Sequence, residues 1–134
     1  MYPVTRGDTK TYSMGLTLGG IPYCMISGSS YLMTVKANVT DPDSAAIVQK
    51  TLGQGLTEQF PSNMGVTFYP IDFYYQTQSG PLYFDIQAIE PGWNVETVCF
   101  NTIGLSLDVT RSTGVSVTIY TGNPPYPSGA PYPP

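Results

Sequence analysis

The acidic side chains are the main candidates for chemistry, because the sequence contains no histidine among its 134 residues. Without imidazole, Ser–His and Cys–His nucleophile pairs, the commonest proton shuttle and most zinc sites are excluded. Four carboxylates could face one another as in a glycosidase, namely those of Asp85, Glu90, Glu96 and Asp108. Because their spacing selects no pair, we expect no catalytic residue, no metal and no cofactor, and we predict that the protein is not an enzyme.

The two cysteines, Cys24 and Cys99, allow either a disulfide or two free thiols. In an extracellular β-sandwich, such a pair can form an inter-sheet disulfide. The N-terminal residues MYPVTRGDTK contain no apolar core of a secretory signal, which favours a protein made in a cytoplasm. Because disulfides are rare in that compartment, buried free thiols are the favoured interpretation, and the disulfide stays open as the alternative.

Aromatic side chains are the main candidates for binding. Exposed aromatic platforms on β-sandwiches bind sugars or partner proteins, and Tyr74, Tyr75 and Trp93 are the predicted contact residues of such a platform. Tyr69 and Phe73 belong to the same aromatic set. The alternative, that most of the set covers the end of the core beneath a long loop, also stays open.

Three short motifs resemble functional patterns, but each has a simpler interpretation. The RGD tripeptide at 6–8 matches a cell-attachment sequence, yet a turn leading into a strand is favoured. The NVT sequon at 38–40 has no consequence in a cytoplasmic product. The DPDS segment at 41–44 has too few carboxylates for a calcium loop and is favoured as a surface turn.

The charge distribution argues against nucleic acid and membrane partners. The formal net charge is −4, and the five basic residues are scattered along the chain. A phosphate-binding surface requires clustered lysine and arginine. No run approaches the roughly 18 apolar residues of a membrane span. We therefore predict neither a nucleic acid nor a membrane as a partner.

The elements that must position these residues are predicted to be β-strands. Apolar and polar residues alternate along most of the chain, at a spacing typical of an antiparallel sandwich or barrel. Residues 53–63 are predicted to be a loop, and 70–81 a wide aromatic connection with one helical turn from Asp72. About eight or nine short strands are predicted, with 45–52 also allowing a short helical turn: 11–18, 21–26, 31–37, 45–52, 64–68, 82–88, 94–100, 103–109 and 115–120. The fold class is all-β, with one domain over residues 1–121.

The C-terminal residues 122–134, GNPPYPSGAPYPP, are predicted to be an extended tail outside that domain. Polyproline II geometry is extended before binding, so that ordering it on a partner costs less entropy than ordering a flexible chain. The tail is interpreted as an arm that lies on a neighbouring subunit, with Tyr126 and Tyr132 as its anchors. A disordered end is the alternative, since proline-rich termini bury too little surface to fold.

Three stretches in order resemble the immunoglobulin-like N-terminal domain of phage baseplate upper proteins and its free-standing relatives among tailed-phage virion proteins. They are VTRGDTKTYSMGLTLGGIP, then YLMTVKANVTDPDSAAIVQKT, then PLYFDIQAIEPGWNVETV continuing to LSLDVTRST. The resemblance covers about residues 4–113, and its most specific part pairs YFDIQ at 83–87 with DVTR at 108–111. The chain departs from that pattern in lacking a receptor-binding or coiled-coil segment after Arg111, and in its aromatic connection at 70–81.

The resemblance implies an antiparallel immunoglobulin-like β-sandwich with a structural role. It implies a protein of the virion, assembled in the host cytoplasm, that docks on other virion structural proteins in several symmetric copies. Attachment to the tail, baseplate or neck and decoration of the head are all compatible with it. A carbohydrate-binding adhesion module is the alternative function, with a glycan as its ligand.

Overall fold

The computed structural model describes residues 1–108, and the predicted strand at 115–120 and the tail with Tyr126 and Tyr132 lie outside that range. Within it, two 3₁₀ helices, Asp43–Ala45 and Pro70–Phe73, accompany ten β-strands and there is no α-helix. The strands are β1 (Tyr2–Thr5), β2 (Lys10–Gly15), β3 (Thr17–Leu18), β4 (Ile21–Pro22), β5 (Ser30–Lys36), β6 (Val48–Leu52), β7 (Gly55–Gln59), β8 (Asn63–Phe68), β9 (Gly80–Ile89) and β10 (Val95–Ser106). The prediction of an all-β protein is confirmed.

Eight strands form one continuous sheet in the order β1-β10-β9-β5-β6-β7-β8-β2, and β3 and β4 form a separate small hairpin. Neighbouring strands of the sheet are antiparallel except for the pairs β1–β10 and β6–β7, which are parallel. The mostly antiparallel pairing matches the prediction. The predicted sandwich requires two separate facing sheets, whereas hydrogen-bonded neighbours run through all eight strands here.

The two ends of the sheet, β1 and β2, are joined by side chains, which makes the sheet a near-barrel. The rings of Tyr2 and Tyr12 pack edge to face with centroids 4.9 Å apart. The Tyr12 hydroxyl also donates a hydrogen bond to the Pro3 carbonyl. Tyr2 extends this contact to Phe84 on β9, at 6.0 Å between ring centroids. These aromatic contacts cover the seam where backbone pairing is missing.

A single core fills the inside of the near-barrel, as the alternation predicts. On β9, Leu82, Phe84, Ile86 and Ala88 are buried, while the residues between them face outward. Strands β5 and β8 contribute their own inward faces, with Met33, Val35, Met64, Val66 and Phe68 completely buried. Burial of such side chains stabilises the fold by roughly 1.5–3 kcal/mol each.

Several predicted boundaries are corrected by the structure. The predicted strand 11–18 divides into β2 and β3, the predicted strand 21–26 contains only the short β4, and β1 precedes the first predicted strand. The segment 53–63, predicted as a loop, contains β7, whose pairing with β8 makes a strand although Leu56 is its only buried apolar side chain. The segments 94–100 and 103–109, predicted as two strands, share the single strand β10. A bulge between Thr97 and Cys99 changes the phase of the alternation within that strand.

The strand directions place the connecting segments at two opposite ends of the near-barrel. β9 starts with Gly80 at one end and finishes with Ile89 at the other. The "Trp93 end" comprises the segments that adjoin Ile89 and its neighbours, 23–29, 60–62 and 90–94. The "Tyr75 end" comprises 6–9, 37–47 and 69–79.

Candidate partner-binding surfaces

Trp93 is the most exposed large hydrophobic side chain of residues 1–108, at 85%. It lies in the β9–β10 turn after Pro91 and Gly92, with its backbone in the left-handed region at φ +70°. A non-glycine residue with positive φ is strained, and such residues persist where the surrounding structure holds them. The backbone that carries the exposed indole is therefore held in a strained conformation, at a cost to stability.

Hydrogen bonds of the backbone and of the Asn94 side chain fix the backbone of this turn. The Trp93 N–H donates to the Glu90 carbonyl at 2.9 Å, and the Glu90 N–H donates to the Asn94 carbonyl at 2.8 Å. The Asn94 side-chain amide donates to both the Glu90 and the Glu96 carboxylates, at 2.9 and 3.0 Å. Glu90 and Glu96, two of the carboxylates considered for glycoside chemistry, are thus both bonded to the amide that shapes the turn.

The buried Tyr23 links the turn to the neighbouring loop. Its hydroxyl donates to the second Glu90 oxygen at 2.5 Å. Burial, and then the hydrogen bond to Glu90, raise the pKa of the Tyr23 phenol well above its usual value. The hydrogen bonds from Tyr23 and Asn94 lower the pKa of Glu90. The base of the turn therefore retains an ionised carboxylate at neutral pH.

Tyr74 and Tyr75 lie at the Tyr75 end, just after the 3₁₀ helix Pro70–Phe73. Tyr75 is 79% exposed, and its ring stands perpendicular to that of Tyr74, with centroids 5.0 Å apart. Phe73 is buried against Phe68, so covering the core is the role of Phe73. Tyr75, by contrast, presents an apolar surface to solvent.

A buried ion pair positions this aromatic segment. The Lys50 ammonium lies 2.5 Å from the Asp72 carboxylate, and both side chains are more than nine-tenths buried. The same Asp72 oxygen accepts the Tyr69 N–H at 2.8 Å, and the ammonium lies 5.0 Å from the centre of the Tyr69 ring. Gly55 leaves the space for the lysine, because a Cβ there would lie 2.7 Å from the Lys50 Cδ. Lys50 and Asp72 therefore anchor the aromatic segment to β6.

The structure does not bring Trp93 together with Tyr74 and Tyr75. They lie beyond opposite ends of the ten-residue strand β9, which at about 3.3 Å per residue separates them by roughly 30 Å. One sugar or one small partner surface cannot use all three rings as a single platform. The sequence carried a signal for this separation, since one complete alternating strand lies between Tyr75 and Trp93.

A third surface, the "outer groove", lies on the outside of β5, β9 and β10 beneath the connection 37–47. Its volume is about 110 Å³, smaller than the several hundred Å³ of typical small-molecule pockets. The side chains that define its chemistry are Thr34, Lys36, Tyr83, Asp85, Gln87 and Phe100. Sequence reasoning considered Asp85 only as a possible catalytic acid, because the pairing of β9 with β5 joins distant segments of the chain and the bulge in β10 shifts the register of β9 with β10.

Asp85 lies at the centre of the outer groove. Its partners across the sheet are Thr34 on β5 and Phe100 on β10. Burial raises the pKa of its carboxyl; the Lys36 ammonium opposes this shift and the Asp43 carboxylate adds to it. Within residues 1–108 the Asp85 carboxylate has no hydrogen bond and no ion pair. It is a half-buried charge without a direct partner in the described part of the chain.

The short motifs have structural roles. Arg6 of the RGD tripeptide is only 5% exposed, and its guanidinium bonds the Asp108 side chain at 3.1 Å and the Gln76 carbonyl at 2.6 Å. The predicted turn is confirmed by the Asp8 N–H bond to the Thr5 carbonyl. In the DPDS segment, the Asp43 carboxylate pairs with Lys36 at 2.7 Å. No group of three or more potential metal ligands occurs within residues 1–108.

Both cysteines are free thiols, as favoured from the sequence. Their predicted burial is wrong for Cys24, which is exposed, and Cys99 is half-buried. Burial, and then the charge of Asp85, raise the pKa of Cys99 to about 11. Cys99 is therefore less accessible than Cys24 and harder to ionise than an ordinary thiol.

No family model matches the chain, and no curated protein matches it. No helix within residues 1–108 is long and apolar enough to cross a membrane. The predicted anchors Tyr126 and Tyr132 lie outside the described residues. The geometry of Trp93, Tyr75 and the outer groove is therefore the basis for a functional proposal.

Proposed function

We propose that the chain is a non-enzymatic structural protein of a tailed-phage virion that docks on other virion subunits. The single observation that carries the docking role is Trp93, an 85% exposed indole in a strained but tightly bonded turn. Tryptophan is enriched among the residues that dominate binding energy in protein interfaces. Because the backbone of the turn is already fixed by hydrogen bonds, docking there orders little additional backbone.

The proposed location in a virion rests on the order of the three sequence stretches described above. The relationship to the immunoglobulin-like domain of baseplate upper proteins is part of the proposal. The continuous sheet of residues 1–108 departs from the two separate sheets of an immunoglobulin sandwich. The proposal includes several symmetric copies on the particle, in the host cytoplasm during assembly and in the virion afterwards.

Purified virions provide the first test. Mass spectrometry is expected to detect the chain in them, and cryo-electron microscopy to locate it at defined sites. Absence from virions would refute the proposal.

The docking role of Trp93 is tested with particles assembled from a Trp93→Ala variant. We expect at least a tenfold lower occupancy, because the interface loses its central anchor. Ile71→Ala is the control, since Ile71 is 50% exposed at the opposite end. Equal occupancy of Trp93→Ala and wild type would exclude the Trp93 end as the docking surface.

The C-terminal arm is a separate part of the proposal. Deletion of the residues after Gly122, which removes Tyr126 and Tyr132, is expected to leave the domain folded but to lower incorporation into particles. Normal incorporation of the truncated chain would remove the arm from the docking surface.

A carbohydrate-binding adhesion module is the second candidate function, favoured by the same exposed indole. A flat aromatic ring open to solvent can stack on a sugar ring. Tyr74 and Tyr75 would then belong to a different site. A glycan array decides: specific binding that Trp93→Ala abolishes supports this function, and silence across the array excludes it.

A further inference from the structure

We propose that the outer groove binds an arginine side chain of another virion protein, with the Asp85 carboxylate as its counter-ion. This inference rests on the proposed function, because it takes the partner to be a protein of the same particle. The proposed function does not say which chemical groups make the contact with the partner, and this inference names one of them.

The charges in the groove favour a cation. The Lys36 ammonium is already engaged, with the Asp43 carboxylate at 2.7 Å and the Asp41 carbonyl at 2.8 Å. Asp85 is the group left without a direct partner among residues 1–108. A half-buried carboxylate has lost part of its hydration, and an incoming cation with N–H donors replaces what was lost.

The shape of the groove favours arginine over lysine. Phe100, 61% exposed, is the direct cross-strand partner of Asp85, and Tyr83 and Gln87 flank Asp85 on the same face of β9. A guanidinium is planar, binds a carboxylate through two N–H groups and stacks on aromatic rings. An ammonium offers neither the fork nor the stacking plane. The volume of about 110 Å³ suits one side chain.

The chain itself supplies one competing occupant, Arg111. Of the five basic residues, Arg6, Lys36 and Lys50 are ion-paired and Lys10 lies over the Tyr12 ring. Arg111 is the basic residue outside the described range. The experiment must therefore distinguish an arginine from outside from the chain's own arginine.

The test is a ¹H–¹⁵N NMR titration of the full chain with N-acetyl-arginine amide. N-acetyl-citrulline amide, which has nearly the same shape without the charge, is the matched control. We expect saturable shifts centred on the amides around Asp85, Thr34 and Phe100, and at least tenfold weaker binding of the citrulline compound. Asp85→Asn is expected to abolish the arginine-specific shifts, and Phe100→Ala to weaken binding several-fold.

Four outcomes would overturn the inference. The first is no saturable shift with N-acetyl-arginine amide in any form of the chain. The second is equal binding of N-acetyl-citrulline amide. The third is unchanged binding by Asp85→Asn. The fourth is binding that appears only in an Arg111→Ala variant, which would assign the groove to the chain's own arginine. If the chain is found in virions but the titration shows no binding, only this inference is refuted. If the chain is absent from virions, the proposed function is refuted whatever the titration shows.

Discussion

The Tyr23 hydroxyl donates a hydrogen bond to the Glu90 carboxylate at 2.5 Å, and this bond joins the loop 23–29 to the base of the turn that carries Trp93. A second bond, from the Asn94 amide, reaches the other oxygen of the same carboxylate. The two bonds lower the pKa of Glu90. The hydrogen bonds at the base of the Trp93 turn therefore favour the ionised form of the Glu90 carboxylate.

Tyr23→Phe is expected to raise the pKa of Glu90 toward the ordinary value of 4.5. A depressed carboxyl pKa contributes stability that is present above the unfolded value and lost as the pH falls through the folded value. The variant should therefore lose less stability than wild type between neutral pH and pH values below 4.5. NMR titration of the Glu90 side chain and urea unfolding at several pH values measure both effects. An unchanged Glu90 pKa in the variant would contradict the assigned cause.

Trp93→Gly is expected to stabilise the folded protein while removing the docking anchor. Trp93 has φ +70°, a conformation that costs a non-glycine residue about 1 kcal/mol and costs glycine little. Trp93→Ala is the matched control, because alanine loses the indole but retains the strain. In urea unfolding, the free energy of unfolding of the glycine variant should exceed that of the alanine variant by about 1 kcal/mol. Equal stabilities would mean that the turn relaxes without cost.

Lys50→Met is expected to destabilise the protein by roughly 3 kcal/mol, because it leaves the Asp72 carboxylate buried without its cation. Adding Asp72→Asn removes that unpaired charge and should recover part of the loss. Urea unfolding of the two variants gives the comparison. If the double variant is no more stable than Lys50→Met alone, the ion pair is not the source of the loss.

The two thiols are expected to react with Ellman's reagent at very different rates. Cys24 is exposed, while half-buried Cys99 has its pKa raised from 9.0 to about 11, which lowers its thiolate fraction about a hundredfold near neutral pH. One thiol should react quickly and one slowly in the native protein. Cys24→Ser should remove the fast phase only, and loss of the slow phase instead would reverse the assignment.

The alternation of apolar and polar residues predicted most of the strands, but not which strands and side chains are neighbours in the sheet. Alternation placed Leu82 and Phe84 inside correctly, because a period of two depends only on neighbours along the chain. The outer groove depends on Asp85 facing Thr34 on the distant strand β5, and on the bulge in β10 that sets Phe100 opposite Asp85. Lys50 is buried because Asp72 and Gly55 accommodate it, and no feature of residues 48–52 alone indicates that.

Asp85→Asn is expected to stabilise the protein at neutral pH even though it removes the proposed arginine contact. Burial raises the pKa of Asp85 above its ordinary value of 3.8, so the folded state binds the proton more tightly than the unfolded state does. The charged form therefore costs stability above the folded pKa, and this cost disappears as the pH falls below 3.8.

The stabilisation should be a few tenths to about 1 kcal/mol at pH 7, since the group is only half-buried, and close to zero near pH 3. Urea unfolding at both pH values tests this, with Asp8→Asn, a change at an exposed carboxylate, as the control. A variant less stable than wild type at pH 7 would mean that Asp85 already has a favourable partner in the free protein. A more stable variant that no longer binds N-acetyl-arginine amide would mean that the charge is kept for binding at the expense of stability.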